Sequence, residues 1–212
     1  MNRFLLLAVL AVLVWSGIAP NDRLTWVMEM APVAIGLAIV LPTRRRFPLT
    51  NLLYILVAFH AIVLLVGAKY TYAQVPLFDW IRDAWGLTRN HYDRVGHFVQ
   101  GFVPAILVRE LLLRTSPLRA GKWLFTIVVF GCLGFSALYE LIEWAAAVAL
   151  GSDADAFLAT QGDAWDTQKD MGLALLGAIL AQFSLASRHN RELAGLKTAV
   201  RGSPSYTPPV SD

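Results

Sequence analysis

The chain has 212 residues, of which 57% are hydrophobic and 16% charged, with a mean hydropathy of +0.54, a formal charge of +3 and pI near 9.2. A soluble domain carries about 25% charged residues, so this blockwise apolar composition excludes intrinsic disorder and a nucleic-acid-binding arm. A lone cysteine, Cys132, excludes an internal disulfide and any cysteine-pair metal site.

A bilayer core of about 30 Å takes about 20 apolar residues in a helix. Six runs approach that length: 4–19, 24–41, 52–66, 97–113, 123–150 and 171–185. The expected fold is therefore all-α, a polytopic bundle of six transmembrane helices over 1–187. Residues 188–212, basic and then Pro/Ser-rich, form a disordered cytoplasmic extension. The first run resembles a signal peptide at Met1-Asn2-Arg3. Its small-residue site runs straight into Pro20, so it reads as an uncleaved helix.

Basic residues orient the bundle. With the N-terminus in the cytoplasm, the inner side holds Arg3, Arg44, Arg45, Arg46, Arg114, Arg119, Lys122, Arg188, Arg191, Lys197 and Arg201. The outer side holds Arg23, Lys69, Arg82, Arg89, Arg94 and Lys169. That excess predicts both termini on the cytoplasmic side. Asp153 and Asp155 read as solvated loop acids. Between the third and fourth spans, Leu77, Phe78, Ile81, Ala84 and Trp85 recur at helical spacing, opposite Asp79, Arg82 and Asp83. This predicts a short amphipathic helix, lying on the outer leaflet or packed on the bundle as a lid.

Ionisable residues within a membrane need a reason. Asp93 and His97 stand four residues apart at the outer start of the fourth span, and Gln100 continues that face. Arg94 lies beside them. On the fifth span Glu140 and Glu143 lie about 26 and about 30 Å above Trp123, near the outer boundary. Asp163, Trp165, Asp166 and Asp170 open the sixth span. Three helices thus deliver polar ends to one leaflet, and Glu29 on the second could join them. The expectation is an outward-facing ligand pocket of Asp93, Arg94, His97, Gln100, Glu140, Glu143, Asp163, Trp165, Asp166 and Asp170. Repulsion between neighbouring carboxylates calls for a proton, a cation or basic partners. His97, Glu140, Glu143, Asp166 and Asp170, with His91 and Asp93 as further candidates, could hold a divalent metal such as Mn, Zn, Mg or Ca. A structural hydrogen-bond network, a ligand site and a catalytic centre all remain open.

Elsewhere, Glu110 and Arg114 are spaced as a helix ion pair, and Arg109 is expected to snorkel to the inner headgroups. His60 reads as a hydrogen-bonded packing histidine and Gln182 as a bridge between helices. Asp170, Ala174, Gly177 and Ala181 form a small-residue stripe, and Gly131 and Gly134 are expected at close helix contacts.

Three segments carry a family resemblance. They run from His91-Tyr92-Asp93-Arg94 through His97-Phe98-Val99-Gln100 to Phe102, over Tyr139-Glu140-Leu141-Ile142-Glu143-Trp144, and from Thr160 to Met171. In these the chain resembles the YjdF-type bacterial inner-membrane proteins, over most of its length up to about Arg188. Asp93-Arg94-x-x-His97-Phe98, Glu140-x-x-Glu143, and Asp170 with Gly177 are distantly similar to VanZ-like membrane proteins, with Glu143 where that pattern has glutamine. The resemblance implies location and site but no reaction. The expected function is an integral inner-membrane protein whose outer pocket binds a cation or an envelope ligand. The alternatives are a metal-dependent hydrolase or transferase acting on a lipid headgroup, and an ion-coupled transporter using Glu29 and His60. The bilayer is the expected partner, with an envelope lipid or small ligand and no nucleic acid.

Overall fold

Buried in hydrocarbon, a backbone must satisfy its own N–H and C=O groups, and a helix does this within one segment. The computed structural model describes residues 3–151 and 159–201. Asp153, Asp155 and the Pro/Ser-rich stretch beyond Arg201 lie outside the described residues. Among the described residues there are seven helices and no strand: α1 (Arg3–Gly17), α2 (Arg23–Thr43), α3 (Asn51–Tyr70), α4 (Pro76–Trp85), α5 (Tyr92–Thr115), α6 (Lys122–Leu150) and α7 (Asp166–Arg201). The helices α2, α3, α5, α6 and α7 are long and apolar enough to cross a membrane. The sixth apolar helix, α1, has 15 residues and is about 22 Å long.

Local chemistry sets the ends. Asp22 caps α2, its side chain accepting from the Thr25 N–H at 2.7 Å, and Thr50 caps α3. The chain then reverses tightly after α3, with Thr71 and Tyr72 both left-handed (φ 54° and 52°). This folds the Tyr72 ring back over Gly67, where a Cβ would overlap it. On α4, Phe78 packs edge-on against Tyr92, while Leu77 and Trp85 of the apolar stripe, and Trp80 beside it, are exposed. The stripe is thus split, with Phe78 and Ile81 half-buried on the bundle side and Leu77, Ala84 and Trp85 exposed.

The closest helix pair is α5 with α7. A Cβ at Gly101 would overlap the carbonyl oxygen of Ala174, and one at Gly177 would overlap that of Phe98. Ala174, Ala178 and Ala181 are fully buried along this seam, so the small-residue stripe is a true contact. Gly131 and Gly134 are not at close contacts. Both lie on the outward side of α6 with nothing within 4 Å of an added Cβ. Gln182 does bridge helices, donating to the Phe125 carbonyl of α6 at 3.2 Å. The core between the helices is built on Leu53, Ile106, Leu124 and Val128.

One boundary is corrected. The expected extension from residue 188 is helical to Arg201, because α7 has 36 residues and runs about 54 Å. Buried contacts hold it there. His189 is fully enclosed, and the Glu192 carboxylate accepts the Leu52 N–H at 2.8 Å, capping the start of α3.

Candidate functional site

The first turns of α5 and α7, the far third of α6 and the start of α2 meet at one end of the bundle. His97 is the centre. Its Nε2 lies 3.4 Å from Asp93 Oδ1 and 4.0 Å from Asp170 Oδ2, and its Nδ1 lies 3.8 Å from Glu140 Oε1. Each aspartate uses its other oxygen on an arginine: Asp93 Oδ2 on Arg89 at 3.4 Å, Asp170 Oδ1 on Arg94 at 3.0 Å. The two guanidinium groups thereby orient both carboxylates toward the imidazole. All four groups around the ring, His97, Asp93, Glu140 and Asp170, are more than nine-tenths buried. His97 Nδ1 and Glu140 Oε1 nevertheless make no hydrogen bond among the described residues. An unpaired buried polar atom costs about 1–3 kcal/mol, so a guest between them would be stabilised.

Asp166 belongs to a different subset. It binds Arg89 at 2.5 Å and Arg94 at 2.6 Å, both through Oδ1. Asp163 joins Arg94 at 2.9 Å and Lys169 at 2.6 Å. The Trp165 ring is 65% exposed and takes no part, and only its N–H contributes, donating to Asp163. His91, at the residue before α5, stands outside the cluster. Burial and the nearby Arg89 and Arg94 hold its pKa below the usual histidine range.

Beside His97 is a chamber of about 60 Å³, walled by Glu29, Tyr72, Asp93, Gln100, Tyr139 and Glu143 among others. Tyr139 donates to Glu29 at 3.2 Å, tying α6 to α2. The charged walls are the carboxylates of Glu29, Asp93 and Glu143, with His97 and His60 as imidazoles and no arginine or lysine. His60 is not the hydrogen-bonded histidine expected, since its Nε2 has no partner among the described residues.

The sequence reading missed Arg89, Tyr72 and the role of Tyr139. Arg89 is 6% exposed and also donates to the Ala159 and Thr160 carbonyls, fastening the α6–α7 connection to the site. Its signal was the four-residue spacing to Asp93, hidden because α5 begins only at Tyr92.

The pair of Lys169 and the Trp165 N–H holds the Asp163 carboxyl down at about 2. An unfolded aspartate titrates near 3.9. The contribution of Asp163 to docking this connection is therefore complete above about pH 4 and lost as pH falls through about 2. Wild-type tryptophan emission is expected to show that acid transition, and Asp163→Asn to lack it. A transition of equal size in both would remove Asp163 as its cause.

A second polar cluster occupies the opposite end. Glu110 is fully buried and accepts from Arg114 at 2.7 Å and from the Thr50 hydroxyl at 2.7 Å. His189 Nε2 lies 3.0 Å away. The expected Glu110–Arg114 pair is present. Arg109 does not snorkel: it is 4% exposed and contacts His189 Nδ1 and the Asn190 side-chain Oδ1, each at 2.7 Å. His189 and Asn190 lay beyond the apolar run and carried no sequence signal.

A helical membrane protein with buried charge clusters at both ends of its bundle is the class these features define. Residues 1–191 match the family described as "Predicted membrane protein (DUF2238)", and the chain belongs to that family. It is 50% identical over 187 residues to the inner membrane protein YjdF of Escherichia coli (strain K12), covering 88% of this chain and 90% of that protein. No solved structure matches the chain.

Proposed function

We propose that the His97 chamber is a cation-binding site, taking a divalent metal or the cationic head of an envelope ligand, at the periplasmic face of an inner-membrane protein with both termini cytoplasmic. The basic residues predict this orientation, because the Arg44–Arg46 run, Arg114, Arg119 and Lys122 lie at the end opposite His97. The observation that carries the reading is the wall chemistry, three carboxylates and two imidazoles with no permanent cation.

A metal fits the donor set. One atom each of Asp93, His97 and Asp170 lies within 4.8 Å of the others, the span of two metal–ligand bonds of about 2.0–2.6 Å. Hard oxygens with one imidazole suit Mn, Mg, Ca or Zn. Glu140 and Glu143 are close enough to serve as outer partners, while Asp166 pairs with two arginines. Ion-coupled transport is disfavoured because the space below the chamber is walled by apolar side chains apart from His60.

The test is elemental analysis and thermal unfolding of the purified full chain with Mn, Zn, Mg and Ca salts and with chelator. A ligand at 100 times its Kd adds about 2.7 kcal/mol to stability. His97→Ala and Asp170→Asn are expected to abolish that gain. A wild-type protein that holds no metal and gains nothing from any of these cations or from butylamine would refute the reading.

A further inference from the structure

The chamber has a neighbour. Pro32, His60, Leu64 and Phe135 wall both it and a larger cavity of about 250 Å³ between α1, α2, α3 and α5. Apart from His60, every wall of the larger cavity is apolar or glycine. A partly open pocket with apolar walls, between helices that cross a membrane, takes hydrocarbon rather than water.

The two spaces are stacked along the bundle axis. On α2 the polar wall is Glu29 and the apolar walls continue to Val40, eleven residues or about 16 Å further on. On α5 the order repeats, from His97 to Leu107, and α3, running the other way, passes from Leu64 to Val57. That depth is about half of the ~30 Å hydrocarbon core. A headgroup at one interface and a chain reaching the midplane is the posture of a lipid in its own leaflet. A metal ion or small amine would fill only the 60 Å³ chamber and leaves the apolar extension unexplained.

We propose that the two cavities together hold one amphiphile, with a cationic amine head among Glu29, Asp93 and Glu143 and a single hydrocarbon chain along α2, α3 and α5. The assignment of the head rests on the cation-site reading, while the chain rests on the apolar cavity alone. His60 marks the junction of head and chain. Gly36 offers a way to close the chain's path, because nothing lies within 4 Å of a Cβ added there and it lines only the larger cavity.

The experiment uses the full chain in nanodiscs with two probes, dodecylamine and dodecanol, each carrying a photoreactive diazirine near the chain end. Crosslinked residues are mapped by mass spectrometry. Dodecylamine is expected to label Val33, Leu37, Ala61 and Leu107 about tenfold more densely than the lipid-facing Phe130 and Phe183, the ratio given by ~1.4 kcal/mol of preference. Gly36→Phe is expected to remove that excess and Gly36→Leu to reduce it. Labelling spread evenly over the bundle exterior, or unchanged in Gly36→Phe, overturns the proposal even where divalent metals still stabilise the protein. Equal cavity labelling by amine and alcohol, with no stabilisation by any metal, overturns the amine head and the cation-site reading with it.

Discussion

Gly101→Ala, a single added methyl, is expected to destabilise the protein more than any other glycine-to-alanine change on its spanning helices. The new Cβ would overlap the Ala174 carbonyl oxygen of α7, a backbone atom that cannot rotate away. Overpacking against side chains costs about 1–3 kcal/mol, and here the helices themselves must separate, so the cost should reach the top of that range. For a chain of this size that corresponds to a fall in Tm of about 6–12 °C. Gly134→Ala is the matched control. It has open space around it, and an alanine there is expected to be neutral or to stabilise by about 0.5–1 kcal/mol, since glycine is the poorer helix former. Thermal unfolding in one detergent compares the two. Equal effects would show that α5 and α7 do not meet as described.

Glu110→Ala is expected to cost about 3–5 kcal/mol, the range found when one member of a buried charge cluster is removed. It would strand the buried His189 and the Thr50 hydroxyl and N–H, and leave Arg114 with only the Pro48 carbonyl. Glu110→Gln keeps an acceptor for Thr50 but not the charge, and should fall between. The double replacement Glu110→Leu with His189→Leu still leaves Arg114, Arg109 and Thr50 without these partners, and is expected to cost at least as much as Glu110→Ala. Unfolding by sodium dodecyl sulfate titration reads all three. A loss below about 1 kcal/mol for Glu110→Ala would mean the cluster is solvated.

These residues show how far the sequence was readable. Apolar run length and period sufficed for α2, α3, α5 and α6, because a bilayer imposes length directly. The small-residue seam at Ala174 and Gly177 was readable for a similar reason, as only small side chains permit that approach. Gly131 and Gly134 looked equivalent and are not, because composition does not say which face of α6 meets a neighbour. The Asp93, His97, Glu140 and Asp170 grouping followed from depth along each helix. What depth does not reveal is azimuth. Trp165 turns outward, Asp166 pairs with two arginines, and Arg89, counted among the outer cations, is buried behind Asp93 and Asp166. The last turns of α7 were missed because His189, Asn190 and Glu192 are polar, and their cost is offset only by partners on α3 and α5 more than seventy residues away in the chain.

The length of α7 has a mechanical consequence. Asp170, pinned to Arg94, and His189, pinned beside Glu110 and Arg109, sit nineteen residues apart on one uninterrupted rod, about 28 Å. Between these two moorings the rod is keyed into α5 by Gly101 and Gly177, so it can neither slide nor swivel piecemeal. The two polar clusters are thereby held at a fixed separation by a single continuous helix.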